Sequence, residues 1–274
     1  MNSGPLVSII MAAYNAERFI SSAITSVLDQ TYPDWELLIT NDGSTDATAS
    51  VLSSFTDKRI STFSQPNKGV SAARNAGLRH MKGKYFTFLD ADDTLPKESL
   101  ATRINYLEDH TQASILAGCV VFFNSHGPQR KWTPHFSGNP LTNFVRVDEN
   151  VFCNPSLVFR VKSNIDYSFK EGMTHVEDLL FITSIVSQQE HDYHSVDSVV
   201  YNYRLSEGTA MANLSGLENG YWTFYESVKK FPNVLQEDVR YLKKRIIRIM
   251  ARSYLASGRV LDAVFVLRKF FSVK

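Results

Sequence analysis

The stretch that decides the fold of this chain is residues 84–93, which read Lys84-Tyr85-Phe86-Thr87-Phe88-Leu89-Asp90-Ala91-Asp92-Asp93. Its apolar, β-prone first part is typical of a strand that is buried on both faces, as in a parallel sheet. The carboxyl ends of such strands form the edge at which open α/β sheets bind their ligands. Three carboxylates at that edge repel one another, so they favour a divalent cation or a cationic ligand. The same acids could instead cap a helix that begins near Thr94, and this stretch alone does not separate the two interpretations.

Strand and helix patterns alternate on the N-terminal side of this stretch. Strands are predicted over 7–13, 35–40 and 59–64, and helices over 16–30, 47–55 and 70–81. Short links between alternating strands and helices predict a parallel, doubly wound sheet.

The pattern loosens after a predicted helix over 97–110. Further strands are predicted over 115–123, 157–161 and 196–203 and a helix over 176–188, while residues 124–153 show no clear period. Residues 205–216 read as a mobile loop, and three helical patterns follow from Leu217 onward. We therefore expect an α/β sheet domain with a C-terminal helical extension.

Composition places the chain among folded soluble proteins, with 43% hydrophobic and 21% charged residues over 274 positions. The net charge of +1 gives no overall case for nucleic acid as a partner. The only cysteines, Cys119 and Cys153, lie in apolar surroundings without zinc-ligand spacing, which favours two buried free thiols in a reducing compartment. No run reaches the roughly 18 apolar residues of a membrane span, and the N-terminus lacks the basic start of a signal peptide. We therefore expect an intracellular, cytoplasmic protein.

Four polar clusters follow four successive predicted strands of the N-terminal half. They occupy residues 12–15, 41–46, 67–74 and 90–93. Because the carboxyl ends of parallel strands share one edge, these clusters should converge in space. One shared site is a simpler explanation than four separate structural roles, so the convergence favours a ligand site over a helix cap.

Four blocks of this sequence resemble the signature blocks of family 2 glycosyltransferases. They are Val-Ser-Ile-Ile-Met-Ala-Ala-Tyr-Asn at 7–15, Leu-Leu-Ile-Thr-Asn-Asp-Gly-Ser-Thr-Asp at 37–46, Asn-Lys-Gly-Val-Ser-Ala-Ala-Arg-Asn-Ala-Gly at 67–77 and Phe-Leu-Asp-Ala-Asp-Asp at 88–93. The resemblance covers roughly residues 6–215 and implies the GT-A fold, a Rossmann-like, mostly parallel sheet. It also implies a metal-dependent, inverting transfer of a sugar from a nucleotide sugar, with a UDP-sugar expected, to a glycan or lipid-linked hydroxyl in bacterial surface polysaccharide synthesis.

The resemblance divides the chain and assigns a donor site. Residues 1–216 would form the catalytic domain, with a nucleotide-binding half over 1–96 and an acceptor half with a lid loop over 97–216; residues 217–274 would be the extension. Tyr14 would flank the nucleotide base and Asp42 would accept a hydrogen bond from it. Arg74 would contact the base or its phosphates. The remaining predicted donor-binding residues beside these blocks are Ala12, Asn15, Gly43, Lys68 and Ala91.

The acids after the fourth strand receive separate roles from the resemblance. Asp90 would hold the ribose, and Asp92 would coordinate Mg²⁺ or Mn²⁺ on the donor diphosphate, with Asp90 as a second candidate ligand. A divalent ion neutralises the charge that develops on a diphosphate leaving group. Ordinary structural roles remain open for the donor residues: core packing for Tyr14, helix capping for 41–46 and a surface charge for Arg74.

A second acidic pair, Glu177-Asp178, resembles the family motif that faces the acceptor. Asp178 is predicted to be the base that takes the proton of the acceptor hydroxyl, with Glu177 as its neighbour or substitute. Both acids could instead only complement the dipole of a helix N-terminus. Residues 201–204 resemble the family segment that closes over the donor, which implies that Arg204 binds the diphosphate and that residues 208–216 form a lid. An exposed arginine on a flexible loop remains the alternative. His175 is adjacent to the acids, but a lone histidine is more often structural than a ligand.

Departures from the family pattern narrow the activity. The chain has no Gln-x-x-Arg-Trp motif, which favours a single-addition transferase over a processive synthase, and no G-x-G-x-x-G, which disfavours a nicotinamide enzyme. A sugar nucleotidyltransferase remains an alternative, although it should carry a Gly-rich, Arg-containing loop where residues 12–15 read Ala-Ala-Tyr-Asn. A non-catalytic sugar-nucleotide-binding partner subunit is a further alternative, but it would not need Glu177 and Asp178.

Positive charge is concentrated in the predicted extension. Residues 219–274 contain twelve Lys or Arg against four Asp or Glu, and the cations are interleaved with aliphatic and aromatic residues. A basic amphipathic helix is typical of a membrane-surface element. The sequence therefore predicts either peripheral docking on an anionic membrane or packing of this segment on protein, including self-association.

Overall fold

The computed structural model describes residues 4–151, 154–205 and 213–268. The strands in chain order are β1 (Val7–Ala13), β2 (Trp35–Asn41), β3 (Ile60–Ser64), β4 (Tyr85–Phe88), β5 (Ile115–Asn124), β6 (Gly127–Trp132), β7 (Val158–Arg160) and β8 (Tyr193–Arg204). The helices are α1 (Ile20–Leu28), α2 (Thr48–Ser53), α3 (Val70–Leu78), α4 (Ser99–Asp109), α5 (Leu141–Val145), α6 (Glu177–Gln188), α7 (Leu214–Val228), α8 (Gln236–Ala256) and α9 (Val260–Arg268).

One eight-stranded sheet organises the molecule, in the order β3-β2-β1-β4-β7-β5-β6, with β8 beside β5. The first four strands in that order pair in parallel, and β8 is parallel to β5. Strand β7 runs antiparallel to both β4 and β5, and β5 and β6 form an antiparallel hairpin. The predicted α/β class with a mostly parallel sheet and C-terminal helices is confirmed, and its parallel half brings the carboxyl ends of β1, β2 and β4 to one edge.

Several element boundaries differ from the sequence prediction for identifiable reasons. The helix predicted from residue 16 begins at Ile20, because the preceding turn is bonded to the loop after β2: the Ala16 N–H donates to Thr48 Oγ1 at 2.8 Å. The aperiodic segment 124–153 contains β6, whose residues are mainly polar, and the short helix α5. Residues 214–216, predicted as loop, are the first turn of α7, capped where the Asn213 side chain accepts from the Gly216 N–H.

Two hydrophobic clusters cover the two faces of the sheet. On one face, Ile9 and Leu37 pack with Ile24 of α1 and Leu100 of α4. The other cluster joins the sheet to α6, α7 and α8; its large side chains include Phe86, Phe159, Phe181, Phe224 and Ile246. Full burial of one such side chain stabilises the fold by roughly 1.5–3 kcal/mol. This second cluster therefore anchors the helix whose first residues are Glu177 and Asp178.

The described contacts bear on three further predictions. Cys119 is buried and free, as predicted, whereas Cys153 lies outside the described residues. Helices α7 and α8 contribute to the same hydrophobic cluster as the sheet. The domain boundary at residue 216 remains a prediction. None of the helices in the described ranges is both long and apolar enough to cross a membrane.

Candidate functional site

Asp42, immediately after β2, organises the turn that leads into α3. Its carboxylate is buried and accepts three hydrogen bonds: from Gln65 Nε2 at 2.7 Å, from the Lys68 N–H at 3.0 Å and from the Gly69 N–H at 2.8 Å. The Lys68 side chain is exposed. The carboxylate therefore fixes the turn, and any contact with a nucleotide base would add to these bonds.

Gly43 follows Asp42 in the loop after β2 and has a conformation that a side chain would strain. Its φ is +72°, in the left-handed region that glycine tolerates best, and a Cβ there would lie 2.7 Å from the backbone nitrogen of Asn67. The loops after β2 and β3 thus approach so closely that only a residue without a side chain fits between them.

A cavity of about 320 Å³ lies beside this turn, within the size range of small-molecule sites. The Tyr14 ring at its border is 53% exposed, which argues against core packing for that residue. Small and apolar residues make up most of the wall; the lining residues are Ala12, Ala13, Tyr14, Asp42, Asn67, Gly69, Val70 and Ala73. A flat aromatic ring, small side chains and one carboxylate suit a planar, hydrogen-bonding ligand.

Asn15 and Asn41 serve the local backbone. Asn15 Oδ1 accepts from the Thr45 N–H at 2.8 Å, and Asn41 Oδ1 accepts from the Ser44 N–H at 3.0 Å. Asn15 therefore joins the loops after β1 and β2, and Asn41 stabilises the turn after β2. Neither bond caps α2, whose N-terminal residue has no side-chain capping hydrogen bond. Direct contact of Asn15 with a donor stays a prediction.

Arg74 on α3 joins the two acidic parts of the site. Its guanidinium is buried and donates to Asp90 Oδ1 at 2.8 Å and to Glu177 Oε1 at 3.2 Å, although Glu177 is 103 residues away in sequence. The guanidinium carbon also lies 5.8 Å and 5.4 Å from the ring centres of Phe88 and Phe169. Burial by itself lowers the pKa of Arg74, but the charges of Asp90 and Glu177 raise it overall, so the cation is retained. Arg74 is thus a buried bridge and not the surface charge that the sequence left open.

Asp93, for which the sequence offered only a capping role, fastens the acidic loop to β8. It is buried, and its carboxylate accepts from the Tyr201 hydroxyl at 2.8 Å and from the Arg204 N–H at 2.6 Å. Burial and then the neighbouring Asp90 raise the pKa of Asp93 to about 8. The Tyr201 oxygen also accepts from the Asp90 N–H at 3.1 Å, so β8 supports two residues of this loop.

Asp92 has the environment of a cation ligand. Its carboxylate forms no ion pair or side-chain hydrogen bond with the other described residues, and burial followed by the charge of Asp90 raises its pKa. No three His, Cys, Asp or Glu side chains in the described ranges form a ready metal cluster. Mg²⁺ is commonly held by one or two carboxylates together with substrate phosphates, and the pair Asp90–Asp92 fits that arrangement.

Glu177 and Asp178 open α6, directly after Val176 in the left-handed region at φ 65°. A β-branched residue rarely adopts this conformation, and such strain is concentrated at functional sites. Asp178 accepts from the Leu179 N–H at 2.7 Å. Burial and then the charge of Glu177 raise the pKa of Asp178 to about 7, against the opposing effect of Arg74. A carboxylate with a pKa near neutrality is suited to general-base catalysis.

His175 belongs to the support of this segment. It is buried and its Nδ1 lies 2.9 Å from Thr174 Oγ1. Helix α7 crosses it at Gly216 and Gly220, where an added Cβ would lie 2.8 Å from His175 Cε1 and 2.4 Å from its carbonyl oxygen, respectively. Sequence reasoning missed this contact; two glycines four residues apart on one helix face were its only signal.

Arg204, at the end of β8, lies beside the acidic loop. Its Nε donates to the Asp92 carbonyl oxygen at 2.7 Å, and its guanidinium carbon is 4.4 Å and 4.6 Å from the ring centres of Phe19 and Phe123. Ala91, in the acidic loop, is buried. The predicted contact of Arg204 with a diphosphate stays a prediction, and residues 208–212 of the predicted lid 208–216 lie outside the described residues.

Comparison with known proteins identifies relatives of this chain. Residues 8–167 match the model of the family described as "Glycosyl transferase family 2". An uncharacterized glycosyltransferase of Haemophilus influenzae is 43% identical over 199 residues, which cover 68% of this chain and 61% of that protein. The Escherichia coli protein WfgD, named UDP-Glc:alpha-D-GlcNAc-diphosphoundecaprenol beta-1,3-glucosyltransferase, is 31% identical over 210 residues, which cover 76% of this chain and 80% of WfgD.

The fold has solved counterparts as well. The crystal structure of S. aureus TarS 1-349 in complex with UDP-GlcNAc superposes with a TM-score of 0.70 at 20% identity, covering 90% of this chain and 72% of that one. The mixed α/β fold with a mostly parallel sheet therefore matches that of a GT-A structure over most of this chain. Among further curated relatives, the chain spans 58% of the length of one and 44% of another, so it matches about half of those proteins.

Proposed function

This chain belongs to glycosyl transferase family 2, and we propose that it transfers a sugar from a nucleotide diphosphate sugar to an acceptor hydroxyl with inversion at the anomeric carbon. One observation carries the proposal: Arg74 binds Asp90 at the donor end and Glu177 at the acceptor end. This buried ion pair holds two acidic segments, distant in sequence, in one site. An enzyme that must bring a donor and an acceptor together needs such an arrangement.

The donor would bind along the edge formed by the strand ends. The cavity beside Tyr14 and Asp42 would hold the base, and Asp90 the ribose. We propose a UDP-sugar because the name of WfgD, which aligns over 76% of this chain, specifies UDP-Glc. Lys68, exposed on the turn held by Asp42, and Arg204 beside Asp92 would contribute positive charge to the diphosphate.

Asp92 and Asp90 would hold a Mn²⁺ or Mg²⁺ ion together with the donor diphosphate. Such an ion supplies Lewis-acid stabilisation of the leaving diphosphate. Asp93 would keep the two acids in position through its bonds to Tyr201 and to the Arg204 N–H.

Asp178 would act as the base. As the acceptor oxygen forms its bond to the anomeric carbon, the bond from that carbon to the diphosphate oxygen breaks and Asp178 takes the hydroxyl proton. Glu177, paired with Arg74, would hold the start of α6 in place. Its negative charge would help to keep the pKa of Asp178 near 7. A single displacement of this kind inverts the anomeric configuration.

The acceptor would be a glycan or a lipid-linked sugar of a bacterial surface polysaccharide. This part of the proposal rests on the name of WfgD, which specifies a diphosphoundecaprenol-linked acceptor and a β-1,3 product. Peripheral attachment to the inner face of the cytoplasmic membrane would bring the chain to such an acceptor.

A calorimetric titration with UDP-, GDP- and dTDP-sugars, with Mn²⁺ or with EDTA, tests the donor and metal assignments. We expect a UDP-sugar to bind, and its affinity to fall about tenfold or more in Asp92→Asn when Mn²⁺ is present. Asp109→Asn is the matched control, because Asp109 is an exposed acid at the C-terminal end of α4, outside the acidic loop. Equal affinity for all nucleotides, or no difference between the Mn²⁺ and EDTA titrations, contradicts the assignments.

A further inference from the structure

Helix α8 carries a row of four cations on its exposed face. Arg240, Lys244, Arg248 and Arg252 follow one another at four-residue intervals, and all four side chains are exposed. Among the described residues, none of the four has an ion-pair partner. Side chains four residues apart are neighbours on a helix surface, and like charges at this spacing destabilise an isolated helix. We call these four residues the basic row.

The opposite face of α8 explains why the helix forms despite the basic row. Leu242, Ile246 and Met250 are fully buried in the cluster that also contains Phe181 and Phe224. Core packing therefore holds α8 in place, so the four exposed cations are not needed for the fold.

Helix α9 follows after a turn at Gly258 and exposes an unusual amount of apolar surface. Only Ala263 and Val266 of its nine residues are buried. Leu261 is 76% exposed and Phe265 60% exposed, and the helix holds five of the ten large hydrophobic side chains that are exposed in the described ranges. Leu255, at the C-terminal end of the basic row, is also 54% exposed.

We propose that the basic row of α8 and the exposed apolar side chains of α9 dock this protein on an anionic lipid membrane. Cations contribute attraction to anionic headgroups, and apolar side chains insert at the boundary between headgroups and acyl chains. Stable peripheral attachment generally needs two such signals together, and these two consecutive helices provide both.

Charge complementarity favours a membrane over a second copy of the chain. A self-complementary interface would bring the basic row near identical cations, because such an interface uses the same patch on both copies. The nearby acids already have partners: Glu237 lies 3.7 Å from Arg146, and Asp262 pairs with Arg259 at 2.8 Å. A nucleic acid would bind the cations but would leave Leu261 and Phe265 exposed.

The purpose of this surface rests on the proposed function, since a lipid-linked acceptor resides in a membrane. Docking itself is independent of the reaction. Binding to vesicles is measured without donor or acceptor, whereas donor binding is measured without vesicles. Failure of one proposal can therefore be told from failure of the other.

Vesicle co-sedimentation of the full chain tests the proposal. We expect binding to vesicles with 30% phosphatidylglycerol in phosphatidylcholine, and little binding to pure phosphatidylcholine. Replacing all four cations by Gln (Arg240→Gln, Lys244→Gln, Arg248→Gln, Arg252→Gln) should lower partitioning by about 600-fold, since each cation near an anionic surface contributes about fivefold and the four contributions multiply. Leu261→Ser with Phe265→Ser should lower it by about tenfold or more.

Matched control variants test whether a loss of binding comes from these two helices or only from a change in total charge or apolar surface. The control for the basic row is Lys58→Gln with Arg79→Gln, Lys82→Gln and Lys97→Gln, which removes the same charge from exposed positions elsewhere. Val199→Ser with Leu235→Ser is the control for α9. Both controls should bind vesicles as the parent chain does. No binding of the parent chain to anionic vesicles, equal loss in variants and controls, or a concentration-dependent dimer abolished by the α9 changes overturns the proposal.

Discussion

Arg74 determines the charge balance of the candidate site at the scale of single residues. Arg74→Gln would leave Asp90 and Glu177 without their shared cation, and we expect a loss of about 2–4 kcal/mol in unfolding free energy. Arg74→Lys keeps the charge but cannot form both bonds with the same geometry, so its loss should be smaller. Urea denaturation measures the difference. The exposed Arg79→Gln is the control, and its unfolding free energy should hardly change. Equal losses for the Gln and Lys variants would contradict a role for charge.

Asp178 gives the free energy of unfolding a specific pH dependence. Its pKa of about 7 exceeds the value of about 3.9 in an unfolded chain, so the folded protein binds the proton more tightly. The stabilisation from Asp178 is therefore fully present below about pH 4 and is lost as the pH rises from about 4 to about 7. Asp178→Asn should gain stability relative to the parent chain by about 1 kcal/mol or more between pH 5 and pH 8. Urea denaturation at both pH values is the test; a difference that does not change with pH would contradict the environment described for Asp178.

The sequence indicated the acids but not what they bind. Asp42, Asp90 and Asp178 could be singled out because each stands at a predicted strand end or helix start beside residues of a known motif. The link from Arg74 to Glu177 spans 103 residues, and the Tyr201–Asp93 bond spans 108. Only the folded chain determines such contacts, since no local pattern encodes which distant partner a side chain meets.

At the scale of elements, the turn between β2 and α2 adjoins Asp42 and Asn67, which line the cavity proposed to hold the base. Gly43→Ala would place a Cβ 2.7 Å from the Asn67 backbone in a left-handed conformation, and we expect a loss of about 2–3 kcal/mol together with weaker nucleotide binding. Gly127→Ala is the matched control, because Gly127 also has a positive φ but no atom within 4 Å of its added Cβ. The unfolding free energy of Gly127→Ala should fall by only about 1 kcal/mol. Differential scanning calorimetry of both variants decides; equal losses would mean that the close approach at Asn67 is unimportant.

Secondary-structure prediction succeeded for strands with a regular hydrophobic pattern. It failed where contacts with distant residues determine the local structure. The first four strands have apolar runs or regular spacing, so their presence and parallel pairing could be predicted, whereas their order β3-β2-β1-β4 within the sheet was not. Strand β6 reads Gly-Pro-Gln-Arg-Lys-Trp, which has no strand period, and it forms because β5 offers it an antiparallel edge. The start of α1 is delayed to Ile20 by bonds between its preceding turn and residues 46–48.

For the whole molecule, the shared core predicts that the sheet and the C-terminal helices unfold together. Phe224 of α7 is fully buried in the cluster that contains Phe86 and Phe181. Phe224→Ala should lower the unfolding free energy by about 3–5 kcal/mol and shift a single transition. Phe265→Ala, on the exposed face of α9, is the matched control and should change stability little. Two separate calorimetric transitions would instead show that the C-terminal helices unfold independently of the sheet.

We propose that donor and acceptor meet between Asp90 and Asp178 and that Asp178 takes the acceptor proton. The most direct test is sugar transfer in a single turnover, with a UDP-sugar donor, Mn²⁺ and a sugar linked to a lipid diphosphate as acceptor. In Asp178→Asn we predict a rate lower by about 10²–10⁴-fold with donor affinity unchanged, while Asp109→Asn transfers at the parent rate. Transfer by Asp178→Asn at the parent rate would contradict the assignment of Asp178 as the base.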